Sequence, residues 1–411
     1  MLTFFRVSFI LPDHKNFSLV LVIGLAFIPL LAMELPRMLA FYPGVFGLLM
    51  VFWYTHGQKE HLDFCKPYLY YAASMCALIL VSYLWSIAPA DALKRMPGSM
   101  SILLSGVLLF SLCLCAKNLD VTPYLWLFPF AAGLAALFCG IEICLNMPAY
   151  MLIHQLGHPV NSSVMNRGIT FFTLCFFPLL SISNRVELPK QRKYMLTGFL
   201  YGSTLFMLWT TQSQSAQLGF AVGLLFYYGF PYRYKAPYTI LAGLVAVAIL
   251  LTPIIVQILF LYGFWSFDAI DFLRQGYAAH RLEIWDFVTR YAMHNPLYGY
   301  GYEATRFVKK FDVRHLIHPD DTVLHPHNFS VQIWIEFGAV GALLASGFLA
   351  SLLYRIKDLS VDCARPALGL FMCTLSISAT GYGMWQGWWL GSIIFALCLL
   401  ALAYNYIRNH E

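Results

Sequence analysis

Two histidines, His325 and His327, flank Pro326 in the stretch "HPHNFSVQIWIEFGAVG" (325–341), at the threshold of an apolar run whose one ionisable member is Glu336. Imidazole is the side chain whose ordinary proton affinity lies closest to neutrality, so a histidine kept neutral can take a proton from a hydroxyl. Pro326 does not fit a helix interior and Asn328 is a favoured N-cap, so the residues predict a helix that begins just after Asn328. His327 then stands at the positive end of that helix, where the dipole and partial desolvation both disfavour the imidazolium. The plainer reading is an interfacial histidine that only hydrogen-bonds its neighbours.

A second kind of chemistry needs a placed cation. Between 263 and 328 lie seven basic residues (Arg274, Arg281, Arg290, Arg306, Lys309, Lys310, Arg314) and eight acidic ones (Asp268, Asp271, Glu283, Asp286, Glu303, Asp312, Asp320, Asp321). These nearly cancel, so a diffuse polyanion-binding surface is not expected and nucleic acid is not a partner. An anionic ligand must instead be held by individual arginines, whose planar fork suits phosphate oxygens. Six of the twelve histidines share the segment: His280, His294, His315, His318, His325 and His327. Their spacing is only weakly specific for zinc and no thiolate lies near, so the reading assigns neither metal nor cofactor.

The elements that position these residues follow from composition. With 60% hydrophobic and 11% charged residues among 411, the chain reads as an all-α integral membrane protein. About twelve apolar runs are long enough to cross a bilayer, near 17–33, 39–55, 68–88, 100–116, 124–147, 169–183, 195–211, 214–230, 238–262, 329–354, 367–384 and 388–406.

Lys and Arg in short loops stay on the cytoplasmic side. With the N-terminus inside, the cytoplasmic loops hold fifteen of them: Arg6, Lys15, Lys59, Lys66, Lys117, Arg185, Lys190, Arg192, Lys193, Arg233, Lys235, Arg355, Lys357, Arg365 and Arg408. The opposite loops hold four, Arg37, Lys94, Arg95 and Arg167, so both termini are expected in the cytoplasm and the net charge of +6 needs no further explanation. One membrane domain over 1–411 with a single large outer loop at 263–328 is the simplest organisation. Most cysteines fall inside apolar runs and read as packing residues, and the N-terminus reads as a retained first span.

Within that loop, "AAHRLEIWDFVTRYAMHNPLYGYGYE" (278–303) predicts a helix stopped by Asn295-Pro296, Gly299 and Gly301. In the following span, Gly338, Gly341 and Ala345 form a small-residue stripe that reads as helix packing, letting a neighbouring span come close.

At this point a family resemblance becomes specific. His327-Asn328, nine residues, then Gly338-Ala339-Val340-Gly341 resembles the signature of bacterial O-antigen ligases. "HRLEIWDFV" (280–288) and "NPLYGYGYE" (295–303) are similar to the Arg-Leu-x-x-Trp and Pro-Leu-x-Gly-x-Gly patterns of that ligase and polymerase superfamily. The resemblance implies an inner-membrane GT-C-like glycosyltransferase that moves a glycan from undecaprenyl pyrophosphate to a sugar hydroxyl of lipid A–core oligosaccharide at the periplasmic face, with inversion and without a metal. It makes His327 the catalytic base or the partner of the acceptor hydroxyl, and Arg281 a pyrophosphate ligand. It also exposes a departure: where relatives carry a second arginine at the end of the seventh span, this chain has Gln214 in "TTQSQSAQLG" (210–219). Arg167, in "SSVMNRGITFF" (162–172), is a candidate for the missing cation. Asn328, His325 and Glu303 are supporting or acceptor-side candidates, Glu303 as a group that orients His327 or Arg281. An O-antigen polymerase or a protein O-oligosaccharyltransferase of the same superfamily is the near alternative. A transporter or flippase is the distant one, weakened because most spans lack central charges.

Overall fold

The computed structural model describes residues 14–116, 120–308, 316 and 323–410. Arg6, Lys117, His315 and His318 therefore lie outside the described residues, as do Lys309, Lys310, Asp312, Arg314, Asp320 and Asp321. Every regular element among the described residues is helical.

The first half of the chain runs through α1 (His14–Ala26), α2 (Ile28–Glu34), α3 (Tyr42–Phe52), α4 (Lys66–Val81), α5 (Pro89–Cys115), α6 (Leu127–Cys144), α7 (Pro148–Ile153) and α8 (Asn166–Ser183). Proline stands in the first turn of α2 through α5 and of α7, where its missing N–H is not needed and its fixed φ favours the helix. The second half adds α9 (Lys190–Thr210), α10 (Gln214–Gly229), α11 (Ala236–Leu250), α12 (Thr252–Ala269), α13 (Asp271–Gln275), α14 (Ala278–Ala292), α15 (Phe329–Lys357), α16 (Val361–Thr380) and α17 (Gly387–His410).

Each of the expected apolar runs falls on helix. Eight helices among the described residues are long and apolar enough to cross a membrane, rather than about twelve. The difference has local causes: α3, α10 and α11 are short, and α9 and α16 are diluted by glycine, tyrosine and hydroxyl side chains. The run at 238–262 is two helices, because Leu251 leaves helical geometry ahead of Pro253. Helix α12 then continues past Gly263 to Ala269, so the first part of the expected loop is helix. Likewise α5 starts at Pro89, which puts Lys94 and Arg95 in its first turns rather than in a loop.

The packing separates a lipid-like exterior from a dry interior. Leu84, Trp209, Leu261 and Tyr262 stand out on the surface, and bulky apolar exposure on this scale is what a hydrocarbon solvent accepts. Helix α8 is enclosed along almost its whole length, forming the axis of the main core with α2, α6, α16 and α17 around it. A second core joins α11, α14, α15 and α16. Helix α14 lies on α12 through Phe260, Phe264, Ala279 and Leu282, which fixes the helix carrying Arg281.

Candidate functional site

At one end of the bundle α16 stops, and its last carbonyls have no helical partner. Two of them are taken by side chains from elsewhere. Thr380 O accepts from Arg281 Nη1 and, at 3.1 Å, from Ser215 Oγ on the first turn of α10. The next carbonyl, Gly381 O, lies 2.6 Å from His327 Nδ1. A carbonyl can only accept, so His327 carries its proton on Nδ1 and keeps a lone pair on Nε2.

Several forces keep that imidazole neutral. Burial lowers its proton affinity below the ordinary histidine value; the Gly381 contact opposes this, and the nearby Arg281 charge lowers it further. Burial is also the main cause that lowers the Arg281 value. The two groups are thus close enough for one charge to act on the other ring. His327 has φ +57, a left-handed geometry that costs a non-glycine residue free energy and tends to mark functional positions. Asn328 accepts from Ser330 N–H at 2.9 Å and Val331 N–H at 3.1 Å, so α15 starts at Phe329 with Asn328 as its N-cap.

The helical spacing of 281–285 explains the rest of the local order. Arg281 reaches the site, Leu282 is wholly buried against α12, and Trp285 Nε1 donates to Pro326 O at 2.7 Å beside His327. His325 stacks edge-on to His327, ring centroids 4.3 Å apart. Its Nε2 meets the Gln386 amide at 2.7 Å; Gln386 Oε1 accepts from Trp388 Nε1 at 3.0 Å, so the amide nitrogen faces His325 and donates. Burial foremost, then the His327 and Arg306 neighbours, push His325 down to about 3. His325 is therefore a neutral acceptor within the same cluster.

Arg167, at the start of α8, lies over the Trp388 ring at 5.8 Å. Tyr382 connects it to the rest: its hydroxyl lies 3.0 Å from Thr170 Oγ1 and donates to Asn166 O at 3.2 Å, and its phenol feels both the Arg281 and Arg167 charges. Arg167, Arg281 and His327 thus occupy the same end of the bundle. Gln214 packs against the backbone of Gly276, just ahead of α14; a Cβ there would fall 1.6 Å from Gln214 Oε1.

Two expectations change. Glu303 orients neither His327 nor Arg281: it sits 2.9 Å from Arg306 Nε and 3.3 Å from Arg95 Nε, so an acid with two cations at hand is spent on an ion-pair cluster. At Gly338 the small-residue stripe serves a break in the helix rather than a neighbouring span. Gly338 has φ +57 and ψ −152, which breaks α15 into two helices. The break is filled by the 295–301 loop. Tyr300 and Gly301 N–H donate to Ile335 and Glu336 O, each at 2.8 Å; Ala339 and Val340 N–H donate to Pro296 and Leu297 O at 2.8 and 3.2 Å. A Cβ on Gly338 would lie 2.6 Å from the Leu297 and Pro296 carbonyls, so glycine is required by backbone meeting backbone. A Cβ on Gly341 would meet Phe337 and Ile333 of its own helix.

The reading from sequence did not foresee Ser215, Tyr382, or the carbonyls of Thr380 and Gly381. The one available signal was the short glycine- and aromatic-rich segment "GYGMWQGWW" (381–389) between two apolar runs.

Fold and site together define a multi-pass helical membrane protein with a basic, histidine-bearing cluster at one end of its bundle. Residues 199–346 match the family model described as O-antigen ligase, a stretch that includes Arg281, His327 and the Gly338 break. Over that stretch the chain is similar to the O-antigen ligase family. The chain is similar to proteins described as "putative polysaccharide ligase" from Rickettsia: 33% identical over 132 residues in R. typhi, covering 30% of this chain and 32% of that one. With R. conorii it is 27% identical over 237 residues (54% and 56%), and with R. bellii 27% over 251 residues (59% of each). The chain spans about a third to three fifths of the length of the curated relatives it matches.

Proposed function

We propose that this protein is an O-antigen ligase: it transfers a glycan from undecaprenyl pyrophosphate to a sugar hydroxyl of lipid A–core oligosaccharide, at the periplasmic face of the bacterial inner membrane. The observation that carries the reading is the seating of Arg281 and His327 on consecutive carbonyls at the end of α16. A proton acceptor and a cation held by one short piece of backbone are the two groups that displacement at an anomeric carbon needs.

His327 Nε2 takes the proton of the acceptor hydroxyl as its oxygen bonds to the anomeric carbon. The bond from that carbon to the pyrophosphate breaks in the same step, and undecaprenyl pyrophosphate leaves with the electron pair. Arg281 binds the departing anion, and Arg167 supplies the second cation in place of the arginine that Gln214 replaces. One in-line displacement inverts the anomeric centre and requires no metal. The excess of Lys and Arg in the loops at the opposite end of the bundle supports an outward-facing site with both termini in the cytoplasm. The ion pair of Arg185 with Asp362, 3.1 Å apart, lies at that opposite end.

The test is an electrophoretic profile of lipopolysaccharide from the host lacking this protein, with the native chain or His327→Ala restored. The proposal expects bare lipid A–core in the deletion, polymer accumulating on undecaprenyl pyrophosphate, and a ladder restored only by the native chain. Core capped by a single repeat unit would instead make the protein a polymerase, and an unchanged ladder would refute both.

A further inference from the structure

The carboxyl group of Glu336 is fully buried within α15, and the proposed chemistry does not use it. Ionisable groups inside a membrane span are costly, so a retained one calls for a reason. Both of its oxygens accept: Oε1 from Gln332 Nε2 at 2.8 Å and Oε2 from Trp385 Nε1 at 2.6 Å. With its nitrogen committed to Glu336, Gln332 turns its Oε1 to the Met384 N–H at 2.9 Å. Met384 and Trp385 are therefore pinned to α15, and Gln386 is pinned to His325. These three residues close the 381–386 segment, whose first carbonyl holds His327; the preceding carbonyl holds Arg281. The main-chain carbonyl of Glu336 also accepts from Gly301 N–H at 2.8 Å, one turn-edge away from the Gly338 break. Glu336 thus ties together the α15 break, the 295–301 loop and the 381–386 segment.

We propose that Glu336 and Gln332 are positioning residues, which hold the 381–386 segment so that the Gly381 and Thr380 carbonyls fix the orientation of His327 and Arg281. The proposal rests on the transferase reading above. It makes a chemical demand that packing alone does not: position 336 must present two acceptors. A glutamine there presents one acceptor and one donor, so its NH2 faces the N–H of either Gln332 or Trp385. Inverting the Gln332 amide only moves the conflict to the Met384 N–H. Removing the indole donor with Trp385→Phe relieves one side, so the double variant is better matched than Glu336→Gln alone.

The experiment compares the full-length native protein with Glu336→Gln, Trp385→Phe and the double variant, all purified in detergent. Three quantities are read: the thermal midpoint, the rate of diethyl pyrocarbonate modification of His327 against the exposed His294, and the steady-state transfer of glycan from a polyprenyl-pyrophosphate donor to lipid A–core. Glu336→Gln is expected to speed His327 modification several-fold and to lower kcat by about 10- to 100-fold, the scale of a misplaced catalytic group. The double variant is expected to recover part of both losses. A lower thermal midpoint with His327 reactivity and kcat both within about twofold of native would overturn the proposal and leave Glu336 as a stabiliser of the bundle. If Glu336→Gln does not fold, Trp385→Phe decides: it removes the indole donor that ties Glu336 Oε2 to the 381–386 segment and must raise His327 reactivity, and unchanged reactivity overturns the proposal. A native protein that transfers nothing while His327 reactivity responds as expected would refute the ligase reading and leave the positioning role standing.

Discussion

Replacing Gly338 by alanine strikes the point where two backbones meet. The residue has φ +57 and ψ −152, which only glycine adopts without strain, and an added Cβ would sit 2.6 Å from the Leu297 carbonyl carbon. Forcing a non-glycine residue to keep that geometry costs roughly 1–3 kcal/mol. The clash also pushes the 295–301 loop away, endangering the bonds from Ala339 and Val340 to Pro296 and Leu297. At about 0.5–1.5 kcal/mol each, losing both adds about 1–3 kcal/mol, for a total of roughly 2–6 kcal/mol. Gly347 is the control, since it lies in the same helix with nothing within 4 Å of its would-be Cβ. Gly347→Ala is expected to stay within about 1 kcal/mol of native. The assay is the unfolding midpoint of each purified protein in one detergent, by denaturant or heat. If Gly338→Ala unfolds where Gly347→Ala does, the α15 break is not held by the loop and the reasoning fails.

Other consequences concern the site. Arg281→Lys cannot reproduce the guanidinium contacts to Thr380 O and Ser215 Oγ, so transfer should fall by about tenfold or more, the value of one charge-assisted bond of about 1.5–3 kcal/mol; steady-state transfer measures it. Arg167→Ala should weaken donor affinity with the thermal midpoint preserved, and unchanged activity together with unchanged lipid-donor affinity would remove Arg167 from the site. Glu303→Gln should lower stability through its ion pairs with Arg306 and Arg95 while leaving donor affinity at the native value. His325 is depressed from 6.5 to about 3, so the folded state binds fewer protons than the unfolded one in between. Its contribution to stability is complete above about 6.5 and is lost as pH falls toward about 3; the thermal midpoint of native protein should drop across that window, and His325→Gln should flatten the drop.

The membrane-helical class was legible because twenty-residue apolar runs are local facts, and the start of α15 was legible because Asn328 caps the helix two and three residues ahead of itself. The helix at 278–292 and its stop at Asn295-Pro296 follow from the same short-range chemistry. Residue type and position at the helix mouth drew attention to His327, and the family resemblance singled out Arg281. The stripe at Gly338 and Gly341 shows where such reading ends: small residues at helical spacing look alike whether a neighbouring span packs there or the helix itself breaks, and φ is not written in residue type. Only the tertiary structure brings Arg281, Ser215 and His327, distant in sequence, onto the carbonyls of Thr380 and Gly381, assigns Glu303 to Arg306 and Arg95, and gives the lone carboxyl of Glu336 its partners. Residue types and local spacing act over a few positions, whereas hydrogen bonds across fifty residues or more depend on how the bundle packs, and that is decided by the whole core at once.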